Sequence, residues 1–547
     1  MQSATPNTYR DTSMRILPVR GDCVLVELAD LGEALALFSA LESSSVDGIT
    51  EIIPAARTLL ISFDPYAISE DALVEAVSAL AGGERKAAAG ALVEIPVRYD
   101  GEDLAEVAGI LDMSIDDVIR LHGESDYVAA FTGFAPGFAY LSGGDPRLTV
   151  PRRKSPRTQV PAGAVGLAGE FSGVYPKTSP GGWQLIGITP LAMFDIDRIP
   201  ASLLQPGSRV KFRDMAKSAA YEIRTVAKPS AAREVPSPSE AGAASIEILS
   251  SGLPVLFQDL GRAGQAGQGI SVSGAADRVG FKAANRLVGN PAGTTALEIT
   301  LGGLSFRMRG QGVMALTGAP SPITVIGTDG VKSQAPHHTA IALDDGDVVS
   351  FGAPEAGMRS YLALRGGLDV VPVLESTATD TLAQIGPAAL AIGDVVNVRK
   401  ATGGSLVAIE EPAFAMPSTI ETVVLDVVMG PRTDWFTDAA VESFLSQEWA
   451  VTPQSSRVGI RLSGEALVRA NQDELPSEAT VRGALQVPAS GHPVLFLADH
   501  PLTGGYPVIA NVAGHHLDLA GQIPVGAKIR FNAVSRFAPR FIPGKCP

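Results

Sequence analysis

Residues 133–157, "GFAPGFAYLSGGDPRLTVPRRKSPR", set aromatics on Gly-Pro turns beside Arg147, Arg152, Arg153, Lys154 and Arg157. Five cations within 11 residues repel one another unless anions or solvent screen them. Pro151 and Pro156 fix the backbone around them, which lowers the entropy lost when side chains close on an anion. Arg offers a planar fork to carboxylate or phosphate, and Lys a point charge. The run is consistent both with a local anion site and with a solvated cluster of salt bridges. A second chemical signal is the pair of Gly-Gly-aromatic turns, Gly181-Gly182-Trp183 and Gly504-Gly505-Tyr506. Such glycines permit positive φ and let backbone N–H groups approach a ligand; for either turn alone, a tight strand turn with a core aromatic is the plainer reading.

Residues 257–291 place Asp259, Arg262, Ser273, Asp277 and Asn285 among glycines ahead of a helix "ADRVGFKAANRLVG", with Ser273 or Gly274 as its cap. A helix N-terminus after a Gly-rich loop suits an anion, yet neither a dinucleotide fingerprint nor a Walker loop is present. Asp499 and His500 precede "PLTGGYP", where a strand-end salt bridge explains Asp499 equally well. His337–His338 and His515–His516 are adjacent pairs whose side chains diverge if they lie in strands, so no metal centre is expected. No G-x-S-x-G elbow occurs.

The elements that must position these residues are mostly strands. The 547 residues are 46% hydrophobic and 18% charged, with 58 Gly, 39 Pro and short punctuated apolar runs, which suits many short strands joined by tight turns. A net charge of -15 argues against general affinity for nucleic acid or anionic membrane. Two cysteines, Cys23 and Cys546, make no disulfide framework and point to a reducing compartment. The N-terminus lacks an apolar signal region and no run reaches the roughly 20 apolar residues of a membrane helix, so a soluble cytoplasmic protein is expected. Helical spacing marks "DLGEALALFSALES", "SEDALVEAVSALA" and "SIDDVIRLHGE", with Ser69 and Ser114 as N-caps. The stretch "VAKPSAAREVPSPSEAGAAS", residues 226–245, reads as a linker. The expected organisation is a disordered 1–13, an α/β subdomain over 14–90, a barrel over 91–225, the linker, a domain of two barrel-like halves over 246–536, and a tail over 537–547. An internal repeat supports this: "VPAGAV", "PGGWQLIG" and "QPGSRVKF" echo "VPASGHPV", "TGGYPVIA" and "VGAKIRF" in the same order. A fainter third echo is "RGGLDVV" with "AIGDVVNV".

The stretch from "GFAPGFAYLSGG" through "VYPKTSPGGWQLIG" resembles the KipI-like family, also called allophanate hydrolase subunit 1 and the B-type component of 5-oxoprolinase. "FQDLGRAG", "SGAADR", "ANRLVGNP", "LALRGGLDV" and "GALQVPASGHPVLFLADHPLTGGYPVIA" resemble its KipA-like companion, the C-type component of 5-oxoprolinase. The resemblance covers nearly the whole chain outside the linker and the first dozen residues, as a fusion of the two components. It implies a mainly β fold with α elements (α+β), tandem cyclophilin-like β-barrel domains and a small N-terminal α/β subdomain. It also implies one of two enzymatic chemistries. The first is ATP-dependent opening of 5-oxoproline with a LamB/YcsF-type subunit, ATP entering as its Mg complex. The alternative is carboxyl transfer from carboxybiotin on a separate carrier, with a biotin carboxylase or carrier protein as partner, as in urea amidolyase. A third reading, regulation of a sensor histidine kinase, is opposed by the fused KipA-like half. An oligomer is expected. The catalytic candidates are Asp499, Thr503, Asp259 and Ser273. The substrate- or anion-binding candidates are Phe134, Gly137, Arg152, Arg153, Lys154, Arg157, Gly181, Gly182, Trp183, Arg262, Asp277, Asn285, Gly504, Gly505 and Tyr506. Three departures from the family pattern bear on substrate identity: Pro320 after "LTGA", "ESTATDT" at 375–381, and His500-Pro501.

Overall fold

The computed structural model describes residues 14–82, 90–153, 155–217, 244–401, 403–405, 407 and 409–543, so Lys154, Cys546, the first 13 residues and nearly all of the linker lie outside the described residues. The N-terminal unit is a sheet in the order Ile49–Pro54, Thr58–Phe63, Cys23–Glu27, Met14–Arg20, Arg540–Ile542. Helices Leu31–Ser44 and Glu70–Leu80 bury Leu37, Leu41, Leu73 and Val77 against Leu59 and Ile61 of its strands. Ser69 caps the second as expected, its Oγ accepting from the Ala72 N–H, and Asp30 caps the first, accepting from the Glu33 N–H. The fifth strand was expected to be part of a tail. Arg540–Ile542 instead pairs antiparallel with Met14–Arg20, bringing the far end of the chain onto the first sheet.

The two outer barrels share one topology. In the first, neighbours run Gln184–Ile188, Ala164–Ala168, Phe171–Val174, Ala139–Ser142, Tyr127–Thr132, Arg209–Asp214, Leu92–Val97, with the last two parallel to each other. An Arg98–Ile188 bridge links the end of Leu92–Val97 back to Gln184–Ile188. In the second, the closed order is Thr422–Met429, Val508–Val512, Ala484–Gln486, Val494–Phe496, Gly459–Ser463, Trp449–Val451, Lys528–Ser535, with Thr422–Met429 and Lys528–Ser535 parallel. Each strand therefore has a counterpart at the same place in the chain and in the ring. The second and third elements of the repeat fall on counterpart strands. The first does not: "VPASGHPV" lies beyond strand Ala484–Gln486, and the counterpart of "VPAGAV" is "TVRGAL", residues 480–485. Gly163 and Gly483 prove the register, each at positive φ (82° and 93°) and each donating to the strand that pairs beyond it, at Tyr175 O and Phe496 O.

Between the barrels a six-stranded and a five-stranded sheet enclose Leu297, Ile299, Phe306, Leu316 and Leu362. The first and last strands of this central unit, Ser245–Ser250 and Val395–Asn397, pair antiparallel, so the fainter third echo does not share the barrels' connectivity. Helix Arg278–Leu287 is capped by Asp277, which accepts from the Gly280 N–H, and not by Ser273 or Gly274. Loop 264–269 carries the first barrel onto this unit: Thr132 Oγ1 donates to Ala266 O at 2.8 Å, and Gly137 N–H to Gln268 O at 3.0 Å. A buried ion cluster joins the N-terminal unit to the second barrel, Arg432 pairing with Glu27 at 2.9 Å and with Glu478. Among the described residues no helix is long and apolar enough to cross a membrane.

Candidate active site

Five segments from three units of the fold meet at one cavity of about 280 Å³, lined among others by Phe134 and Lys177 of the first barrel, Ser271 and Asp380 of the central unit, and His500 and Leu502 of the second barrel. Left-handed backbone at residues other than glycine occurs on the cavity wall at Phe134 (φ 64°) and Gln384 (φ 61°) and behind it at Ser273 (φ 57°). Packing enforces it. Phe134 N–H donates to Thr503 Oγ1 at 3.3 Å, and its ring meets Phe138 and Tyr175 edge-on, with centroids 5.2 and 5.9 Å away. Gly133 lies so close to Thr503 that a Cβ would collide with that side chain.

Asp499 is the anchor behind the cavity. It accepts from Ser273 Oγ (2.6 Å), from Thr381 N–H and Oγ1 (2.9 and 2.7 Å), and from Arg457 Nε and Nη2 (both 3.0 Å). Burial works to raise its pKa, but Arg457 and these hydrogen bonds outweigh burial and hold it below the usual carboxylate range. Arg457 continues the network to Glu298 and to Gly274 O. Thr381, so fixed, holds its neighbour Asp380 in place. Asp380 Oδ1 accepts from Leu382 N–H (2.9 Å) and Ala383 N–H (2.8 Å), while Oδ2 is buried without a partner. Burial, reinforced by the Asp499 charge, pushes its carboxyl up to about 6. Lys177 Nζ donates to Leu382 O (3.0 Å) and Ala383 O (3.2 Å); burial lowers its pKa against the pull of Asp380. His500 is lowered to about 4 by burial, so its ring is neutral at pH 7, and Nδ1 has no partner. A carboxylate, an ammonium and a neutral imidazole thus belong to residues lining one small space, able to accept a proton and to hold a carboxylate or amide oxygen.

This arrangement redistributes the expected site. Of the four catalytic candidates, none has its side chain on the cavity. Asp499, Ser273 and Thr503 support its walls. Asp259 staples the 375–381 segment, accepting from Thr377 N–H (2.6 Å), Ser376 Oγ (2.7 Å) and Gly261 N–H (2.8 Å). Arg262 is buried beneath that segment, donating to Ala378 O with Nε and Nη1 unpartnered. Asp277 caps its helix and accepts from Gln522 (2.8 Å), and burial raises it to about 6. Asn285 donates to Thr294 O within the same unit. Gly137, at φ 80°, serves the contact to Gln268.

The basic loop is mostly internal wiring. Arg153 and Arg157 both bind the buried carboxylate of Asp103, at 2.7 and 2.6 Å, whose other oxygen accepts from Leu185 N–H at 2.7 Å. Arg147 pairs with Asp145, and Arg152 with Glu474 of the second barrel at 3.2 Å. The Gly-Gly turns carry no positive φ. Their first glycines are required because side chains press on them, the Tyr175 hydroxyl at Gly181 and the Gln486 amide at Gly504, while Gly182 and Gly505 have room. Trp183 is a core aromatic packed edge-on against Phe138 and Tyr140. Tyr506 is half exposed under the Arg469 guanidinium, 5.7 Å from its ring centre. Lys177 and Ser271 escaped the sequence reading as polar residues of ordinary loops, and Asp380 entered it only as part of the 375–381 departure, with no role of its own. The expected divergence of the histidine pairs also fails: neither pair lies in a strand, and their ring centroids are 4.8 Å (His337–His338) and 4.3 Å (His515–His516) apart.

Comparison with known proteins bears on both halves. Residues 14–204 match the family described as carboxyltransferase domain, subdomain C and D, and residues 268–533 match carboxyltransferase domain, subdomain A and B. The chain is 34% identical over 294 residues to the C component of 5-oxoprolinase from Escherichia coli (strain K12), covering 52% of this chain and 90% of that protein. It is 41% identical over 193 residues to the B component of 5-oxoprolinase from Bacillus subtilis (strain 168), covering 31% of this chain and 78% of that protein. Urea amidolyase of Saccharomyces cerevisiae is 32% identical over 311 residues, 53% of this chain but 17% of that protein. The crystal structure of TTHA0988 is similar with a TM-score of 0.77 and 32% identity, across 93% of this chain and 99% of that one.

Proposed function

The chain belongs to the carboxyltransferase-domain family as a single-chain fusion of 5-oxoprolinase B-type and C-type halves, and from that premise we propose that it is the ring-opening component of an ATP-dependent 5-oxoprolinase-type hydrolase, acting with a LamB/YcsF-type subunit. The observation that carries this reading is the cavity where both halves meet, with Asp380, Lys177 and His500 on its walls. Its volume of about 280 Å³ suits a molecule the size of a cyclic amino-acid amide. In this mechanism the Lys177 ammonium holds the substrate carboxylate. Asp380, ionised above pH 6, takes the proton of the attacking water and passes it to the ring nitrogen as the C–N bond breaks. Neutral His500 offers Nδ1 to the ring N–H.

The cavity does not fit a nucleoside triphosphate. Its cationic group is Lys177, and Arg153 and Arg157 are bound to Asp103. We therefore derive no step through ATP and assign its site to the LamB/YcsF-type partner. The residues do fit a ureido group, which presents N–H groups to the Asp380 carboxyl group and apolar edges to Phe134 and Leu502. The likeness to urea amidolyase favours this second reading, in which carboxybiotin on a separate carrier supplies an activated carboxyl group and Asp380 takes a proton from the acceptor amide. The test is glutamate release from 5-oxoproline by the purified chain with a LamB/YcsF-type partner and ATP. No turnover, together with carboxyl transfer from a biotinylated carrier to an amide acceptor, would replace the first reading by the second.

A further inference from the structure

A second constellation stands on the flank of the second barrel. Strand Thr422–Met429 carries Asp426, and the turn Gly514–His516 carries His515 and His516. The turn is fixed to the strand by the hydrogen bond from Ala513 N–H to Asp426 O (2.8 Å) and closed on itself by the one from His516 N–H to Ala513 O (2.9 Å). In this tight helical turn the two rings sit together, and both reach the same carboxylate. His515 Nε2 lies 2.9 Å from Asp426 Oδ2, and His516 Nδ1 lies 3.8 Å from that oxygen. The three donor atoms all lie within 4.8 Å of one another, the one such grouping of His, Cys, Asp or Glu among the described residues. Asn532 Nδ2 donates to Asp426 Oδ1 at 2.7 Å, which keeps Oδ2 turned to the imidazoles as an outer partner does for a ligating carboxylate.

We propose that Asp426, His515 and His516 form a binding site for a divalent transition-metal ion of the zinc or nickel class. Separations of 2.9 and 3.8 Å bracket the edge of a tetrahedron, about 3.3 Å for metal–ligand bonds of about 2.0–2.1 Å. Two imidazoles and one carboxylate suit these ions, whereas calcium and magnesium call for all-oxygen shells. His515 is 61% exposed at its side chain, so water completes the coordination and ions have direct access. Binding requires local exchange. The His515 ring, which meets Asp426 through Nε2, carries its proton on Nδ1 once Nε2 ligates. The hydrogen bond from Asp426 N–H to His516 Nδ1 (2.9 Å) opens as that lone pair turns to the ion. None of the three residues lines the cavity, so this site is independent of the proposed reaction.

The experiment titrates the chelator-treated full-length chain with Zn(II) by calorimetry and with Co(II) by visible absorption. A single saturable site per chain is expected. His515→Ala, His516→Ala and Asp426→Asn each weaken it by at least about tenfold, and Asn532→Ala weakens it less. His492→Ala leaves it unchanged. Circular dichroism checks that each variant is folded, and exposed His515→Ala is decisive where Asp426→Asn is not. No saturable binding, or binding indifferent to His515→Ala or His516→Ala, overturns the assignment.

Discussion

At the residue scale, one carboxylate sets the pH behaviour. Asp380 is raised to about 6 because it is buried and because Asp499 lies beside it. If Asp380 is the proton acceptor, kcat/KM falls as pH drops through about 6, and Asp380→Asn loses at least about 100-fold together with that acid limb. A profile flat between pH 5 and 7 would contradict this role. Its raised value also has a stability sign. Ionisation opposes folding, so the contribution is favourable below the ordinary 3.8 and is lost as pH rises through 6, by about 3 kcal/mol at most. Asp380→Asn is therefore expected to melt no lower than the parent at pH 8 while being inactive. Lys177→Met should raise KM by about tenfold with a smaller change in kcat, the pattern of a lost binding contact.

At the scale of elements, the basic loop and the Gly-Gly turns are structural parts with separable signatures. The Arg153→Ala/Arg157→Ala double variant strands the Asp103 charge in the first barrel and should cost about 3–5 kcal/mol, read in denaturant melts, with KM unchanged. A large rise in KM without loss of stability would restore the loop as an anion site. Adding a methyl group at Gly181 or Gly504 forces Tyr175 or Gln486 to move, whereas Gly505 has room. Gly181→Ala and Gly504→Ala should each lower stability by about 1–3 kcal/mol, and Gly505→Ala by less than about 0.5 kcal/mol, as seen in thermal unfolding.

At the scale of the whole molecule, the two halves are joined by packing and not only by the peptide connection. Strand Arg540–Ile542 completes the N-terminal sheet, Arg432 bridges Glu27 and Glu478, and loop 264–269 docks on the first barrel. Separately expressed residues 1–225 and 244–547 should therefore copurify as a 1:1 complex. Removing 537–547 from the second piece exposes the edge of Met14–Arg20 and should weaken that association by at least about tenfold. Failure of the intact pieces to associate would show that the contacts need the covalent connection.

The short-range signals were legible in the chain. Ser69 and Ser114 cap helices where their spacing says, because a cap needs only a side-chain oxygen and an N–H three residues on. The duplication was also legible in two of its three elements, because counterpart strands repeat the same Gly turn and aliphatic alternation. Its first element misled, since the shared feature is one positive-φ glycine, Gly163 or Gly483, in otherwise different residues. The chemistry of the cavity was decided by tertiary structure. Asp380 and Lys177 are unremarkable singly; burial, the Asp499 charge and the meeting of segments about 200 residues apart change how each holds its proton. The same physics acts on the basic loop. Sequence placed five cations there, but only the fold brought Asp103 beneath two of them.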